Sequence, residues 1–82
     1  MLSTIQPLHF SIPSEHGFAT PVRVEFNNSV DDFDFHTHEL SVNFTSLRQA
    51  HGHLRAVYGP DVVLAILGGI AKHCYANLTE HY

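Results

Sequence analysis

Hydrophobic and polar residues alternate along the first third of the chain, in the pattern of half-buried β-strands. Apolar side chains stand at every second position of residues 8–12, which predicts a strand that starts near Ile5. The same alternation returns over residues 22–26 and ends at the turn-forming segment 27–29. Residues 13–17 supply the turn between the two. The pattern therefore predicts an antiparallel hairpin.

The alternation then changes parity. Apolar residues stand at odd positions at Phe33 and Phe35, but at even positions at Leu40, Val42 and Phe44. Because side chains of a strand alternate strictly between its faces, the two groups share a face only if a residue is inserted or the strand breaks. We expect a bulge or turn within residues 36–39. The sheet then has three or four strands.

Helical periodicity replaces the alternation after residue 45. Thr45 or Ser46 is a suitable N-cap for a helix that runs to about Tyr58. Gly59 and Pro60 end this helix and introduce the next, which spans roughly 60–78. The predicted core stripe of the first helix is Leu47, Ala50, Leu54 and Val57. That of the second is Val62, Ile66, Ile70, Cys74 and Leu78, flanked by Val63, Leu67, Ala71 and Tyr75.

The sequence thus predicts an α+β fold, in which a small antiparallel sheet of three or four strands is followed by two helices packed on one face (ββ(β)αα). Residues 1–82 form a single domain, with strands within 5–44 and helices at about 46–58 and 60–78. One face of the sheet remains in contact with water.

The second helix is apolar around nearly its whole circumference, with no charge between residues 62 and 71. A domain of 82 residues has little material with which to enclose such a helix. Its third side is either packed against the first helix or open to another chain, and small residues there permit a close approach. That chain is either a second copy or a different protein, and of the two we expect a homodimer. The predicted self-association residues on this side are Ala65, Gly68, Gly69 and Lys72.

Charge narrows the choice of partners. The formal net charge is −4 with neutral histidines, and only four residues are Lys or Arg. Direct binding of nucleic acid is disfavoured, since phosphates require a basic surface. The acidic residues are concentrated in the first half of the chain, either as a solvated rim or as a surface that attracts a basic or nucleic-acid-binding protein. The predicted partner-binding residues are Asp31, Asp32, Asp34 and Glu39.

Eight histidines raise the alternative of metal binding or sensing. If residues 34–38 are extended, Asp34, His36 and His38 project from one face, as two imidazoles and a carboxylate do around a divalent metal. His9 is a possible addition from a neighbouring strand. The same histidines could instead be ordinary polar residues of the wet sheet face, or could drive a pH-dependent assembly.

Catalytic signatures are absent from the sequence. It contains no nucleophile elbow, phosphate-binding glycine loop, paired-cysteine zinc knuckle or helical His-Glu-x-x-His motif. We expect no enzyme activity and no cofactor. The lone Cys74 fits a reducing, cytoplasmic location, and the apolar run of residues 62–71 is too short for a membrane span. The sequence favours a small regulatory or inhibitory protein that acts by protein–protein binding through the acidic strands, the second helix, or both.

Overall fold

A computed structural model describes residues 5–13 and 17–79, with side chains through residue 76. It contains a four-stranded antiparallel sheet followed by two helices, which confirms the predicted α+β fold. The strands pair in chain order, and both helices cover one face of the sheet. The elements are β1 (Leu8–Pro13), β2 (Ala19–Phe26), β3 (Phe33–His36), β4 (Ser41–Phe44), α1 (Leu47–Tyr58) and α2 (Pro60–Thr79).

Strand register explains the change in apolar parity. The β3–β4 connection takes up residues 37–40, an even number, so that Phe35 pairs with Val42 and Phe33 with Phe44. Odd positions of β3 therefore face the same side as even positions of β4. The turn is held by Thr37, whose amide donates to the Leu40 carbonyl at 2.7 Å and whose hydroxyl accepts from the Leu40 amide at 2.9 Å. The predicted break is thus a turn between two strands.

The β2–β3 connection is a tight backbone loop. The amides of Asn27 and Asn28 both donate to the Asp32 carbonyl, each at 2.9 Å. Ser29 adopts a positive φ of 57°. The predicted end of β2 at this segment is confirmed. The predicted turn over residues 13–17 falls mostly on residues 14–16, which lie outside the described part of the chain.

The helix boundaries agree with their predicted signals. The Ser46 hydroxyl accepts from the Gln49 amide at 3.0 Å, and the Gln49 side chain reaches back to the Thr45 amide at 2.7 Å. Such reciprocal bonds satisfy donors that a helix start leaves unpaired. Gly59 ends α1 with a φ of 91°, and its amide donates to the Arg55 carbonyl at 2.9 Å. Helix α2 begins at the next residue.

A phenylalanine cluster forms the centre of the core. Phe33, Phe35 and Phe44 are almost fully buried, and the Phe33 and Phe44 ring centroids lie 5.7 Å apart. Against this cluster pack Leu54 of α1 and Ile70 of α2, neither of which has any exposed surface. The buried core is completed by Ile12, Val22, Val24, Phe26, Ala50, Val63, Ile66 and Cys74.

Each of the two predicted helix stripes is confirmed at its centre and differs from the observed one at an end. In α1, Val57 is 53% exposed, and Tyr58 instead turns partly inward and packs on the core. In α2, Ile66, Ile70 and Cys74 of the predicted stripe are buried, which confirms that part of it. At the start of the helix the stripe differs, since Val63 is fully buried and Val62 only partly. Leu78 has no described side chain. The alternative that α1 packs on Gly68 and Gly69 is wrong, since both are exposed and a Cβ built at either meets no atom within 4 Å.

Candidate functional site

The outward face of α2 is open to solvent and largely apolar. Leu64 and Tyr75 are 63% and 65% exposed, values that leave most of each side chain in water. Between them the helix carries glycine and alanine, so the surface is smooth and its backbone is accessible. We define the outward face by its exposed residues, which are Asp61, Leu64, Ala65, Gly68, Gly69, Lys72, Tyr75 and Ala76.

The four residues predicted for self-association, Ala65, Gly68, Gly69 and Lys72, all lie on this face. The prediction omits Leu64, Tyr75 and Asp61, which occupy the same side. Periodicity places Tyr75 beside the core stripe, because its spacing from Val63 and Leu67 suits that row. In a helix that is apolar all round, spacing alone does not tell which row faces the sheet. Only the packing of α2 on the strands fixes its rotation.

An apolar groove runs beside the outward face, where the first turns of α2 pass along edge strand β1. Its volume is about 300 Å³, and its walls come from residues 10–13 and from Asp61, Val62, Ala65 and Ile66. The two walls lie some fifty residues apart in sequence, so no local pattern could have predicted the groove. A second depression, of about 380 Å³, lies on α1 around His51, Gly52, Arg55, Ala56 and Pro60.

Two of the four predicted acidic contact residues lie in a hydrogen-bonded cluster on the wet face of the sheet. The Asn43 side-chain amide donates to Asp32 and to Asp34, each at 2.8 Å. Asn27 donates to the same two carboxylates at 3.3 and 3.2 Å. The bond from Asn43, with smaller contributions from Asn27 and nearby His36, lowers the pKa of Asp34 against a partial opposing effect of burial. The side-chain amides of Asn27 and Asn43 therefore hold both carboxylates in place.

Asp31 and Glu39 complete the acidic set but lie apart from each other. Asp31 is exposed on the β2–β3 loop and Glu39 on the β3–β4 turn, at opposite ends of β3. Glu39 pairs with His38, with Oε1 and Nε2 3.6 Å apart. A four-residue strand spans about 13 Å, so the four acidic residues extend along the interior strand β3 and its two flanking turns instead of converging on one point.

The proposed metal ligands are not brought together. Asp34 and His36 share the wet face of β3, but His38 lies past the strand end in the turn. Among the described residues no group of three or more His, Cys, Asp or Glu side chains is placed to hold a metal ion. The segment 34–38 is not continuously extended, which removes the geometric basis of the prediction. His9 faces the same side as Arg23, two strands from His36.

His36 links Ser41 to Glu25 across three strands. Its Nδ1 is 2.8 Å from the Ser41 hydroxyl, and its Nε2 is 3.5 Å from Glu25 Oε1. A hydroxyl, an imidazole and a carboxylate in this order also occur in hydrolytic sites. Here they lie on an open sheet face, and neither described depression reaches them. Glu25 is also engaged by Arg23 at 2.9 Å. The arrangement acts as a surface network that ties strands together.

Two further histidines pack on the core, a role that the sequence did not indicate. The His73 ring stacks on Phe26 with centroids 5.7 Å apart, and its Nε2–H donates to the Gln6 carbonyl at 2.7 Å. His53 meets the Phe44 ring edge to face at 5.5 Å. The contacts of His73 join residues far apart in sequence, so no local motif could reveal them.

Cys74 and Tyr58 are titratable groups in partly or fully buried positions. Burial raises the pKa of the Cys74 thiol, opposed by a hydrogen bond with Ser29. Burial also raises the pKa of Tyr58, whose hydroxyl bonds to Thr37 of the β3–β4 turn. Cys74 is only 1% exposed, which confirms its predicted place in the core. A buried, protonated thiol is a poor nucleophile.

Comparison of the chain with protein-family models, curated proteins and solved structures finds no match. None of the described helices is both long and apolar enough to cross a membrane. The geometry of the surfaces above is therefore the basis on which a function is inferred.

Proposed function

We propose that this protein is a non-catalytic binding module that docks on another polypeptide through the outward face of α2, and that it regulates or inhibits what it binds. One observation carries the proposal. The most apolar helix of the chain exposes Leu64 and Tyr75 by more than 60%, although the core beneath it is complete. Exposing this surface to water is unfavourable, and its burial by a partner recovers that free energy.

The acidic strand region supports a second contact with a basic protein. Asp31 and Glu39 are exposed and reach solvent from the two ends of β3. They lie in a chain with a net charge of −4, which favours encounter with a positively charged surface. Asp34 lies between them on β3, and the amides of Asn43 and Asn27 lower its pKa, which favours its charged form. These charges guide approach, while the apolar face supplies most of the buried area.

Site-specific photo-crosslinking in the native cell tests the proposal. A photoreactive residue is placed at Leu64 or Tyr75 on α2, and at Val57 on α1 as the control. Val57 is an apolar residue of similar exposure, at 53%. We expect polypeptide adducts from positions 64 and 75 and none from position 57. Adducts that form equally at all three positions, or at none, would overturn docking through α2.

A further inference from the structure

We infer that the outward face of α2 binds the same face of a second copy of this chain, with the two helices antiparallel and Asp61 of each copy paired with Lys72 of the other. This inference rests on the proposed function, since it names the partner of the same surface. It is carried by the placement of charge on the face and by the residues that separate the two charges.

The two charges stand in line on the exposed side of the helix. Asp61 and Lys72 are eleven positions apart, which is three helical turns and about 20° of rotation. Both side chains are exposed, and neither takes part in an ion pair within the described part of the chain. An acidic and a basic group therefore mark the two ends of a single stripe about 16 Å long.

This arrangement is complementary to itself in one orientation only. In an antiparallel pair with a two-fold axis between positions 66 and 67, Asp61 of each copy faces Lys72 of the other, and both ion pairs form together. A parallel pair would instead place Asp61 against Asp61 and Lys72 against Lys72. Like charges in contact are unfavourable, so the charges select the antiparallel form.

The residues between the charges fit close contact of two helices. Ala65 and Gly68 lie between Asp61 and Lys72 at alternating spacings of four and three residues, as in the seam of a packed helix pair. The same two-fold axis sets Ala65 of one copy opposite Gly68 of the other. Small residues at this position let the backbones approach closely. Leu64 then lies over the glycine backbone of the second copy and loses its exposure to water.

The charge pattern provides the sharpest test. The single variants Asp61→Lys and Lys72→Asp each convert both ion pairs into repulsive pairs, and we expect each to raise the dimer Kd about tenfold or more. The double variant D61K/K72D exchanges the charges and restores the dimer. Mixing the two single variants should also give a heterodimer, since one chain then carries a lysine at both positions and the other an aspartate at both.

Sedimentation equilibrium of the full chain measures these constants at low and moderate salt, and circular dichroism checks the fold of each variant. Arg48→Asp is the charge-matched control for Lys72→Asp, because Arg48 is exposed on α1 and is not part of the outward face of α2. Gly68→Leu should weaken the dimer, whereas Gly52→Leu on α1 should not. A Cβ at either glycine meets no atom within 4 Å, so the two changes are sterically matched in one copy.

Several outcomes would overturn the inference. A wild-type chain that remains monomeric at millimolar concentration excludes the dimer. A dimer that survives both single charge reversals, or that D61K/K72D does not restore, excludes this arrangement. If crosslinks from positions 64 and 75 carry the mass of a different polypeptide, the proposed function stands and the second copy as partner is excluded. If no crosslink forms there, the proposed function itself fails.

Discussion

Asn43 on β4 donates its side-chain amide to Asp34 on β3 at a distance of 2.8 Å. The two residues are register partners, so the strand pairing itself sets their approach. Because the donated hydrogen bond favours the ionised carboxylate, the pKa of Asp34 falls below its ordinary value of 3.8. Asn27 donates to the other carboxylate oxygen from the end of β2, at 3.2 Å.

Removal of these amides should raise the pKa of Asp34 in a definite order. Asn43 has the larger effect, so Asn43→Ala should raise this pKa more than Asn27→Ala does. The pKa of Asp34 in each variant is measured from its carboxyl carbon chemical shift, followed by NMR during an acid titration. An equal or larger rise in Asn27→Ala would contradict the geometry.

The hydrogen bond from Asn43 to Asp34 makes the stability of the folded protein depend on pH in acid. A carboxylate whose pKa is lower in the folded than in the unfolded state contributes its full stabilisation at pH values above its unfolded-state pKa. This contribution is lost as the pH falls through the folded-state pKa. The difference in unfolding free energy between wild type and Asn43→Ala should therefore be constant near neutrality and shrink below about pH 4. Urea unfolding of both proteins, from neutral to strongly acidic pH, measures this difference in unfolding free energy. A difference that grows in acid would contradict this sign.

Leu54 and Val57 offer a test of the observed rotation of α1. Leu54 has no exposed surface, so Leu54→Ala should destabilise the protein by about 2–5 kcal/mol through lost burial and a cavity. Val57→Ala removes a side chain that is 53% exposed and should cost no more than about 0.5 kcal/mol. If the first variant does not fold, Leu54→Met keeps the comparison measurable, at less than about 1.5 kcal/mol. Equal costs at the two sites would favour the sequence-based stripe.

Gly52 and Gly59 should respond to alanine in opposite directions. Gly52 is exposed inside α1 with open space at its Cβ position, so Gly52→Ala should stabilise the protein by about 1 kcal/mol through helix propensity. Gly59 has a φ of 91° at the C-cap, where an alanine is strained, and Gly59→Ala should cost about 1–3 kcal/mol. Thermal unfolding of the two variants and of the wild type measures both changes in stability. A stable Gly59→Ala protein would show that the chain does not need this backbone conformation.

Cys74 should resist thiol reagents in the folded protein. The thiol is only 1% exposed and its pKa is raised above the ordinary 9.0, so little thiolate is present at neutral pH. We expect labelling by a chromogenic disulfide at a rate set by unfolding. A double variant, Cys74→Ala with Val57→Cys, places the one thiol on the surface and should react at once. Rapid labelling of the wild-type protein would contradict the buried position.

The sequence alone determined the local features of this fold. Alternation over residues 8–12 and 22–26 predicted β1 and β2, because one face of each strand lies on the core and the other in water. The Thr45–Ser46 and Gly59–Pro60 pairs located the helix ends, since capping depends on a few adjacent residues, and the structure selects Ser46 as the N-cap. The parity change between Phe35 and Val42 located a break, although the pattern did not distinguish a bulge from a turn.

Tertiary structure decided what each apolar surface meets. The sequence placed Val63 and Tyr75 of α2 in the same row beside the core stripe. The folded chain buries Val63 and leaves Tyr75 65% exposed, because the packing of α2 covers only part of that row. The four predicted acidic contact residues divide into two held by Asn27 and Asn43 and two at the ends of β3, because the fold brings distant amides to particular carboxylates. Local spacing governs caps and alternation, whereas orientation and exposure depend on residues that only the folded chain brings together.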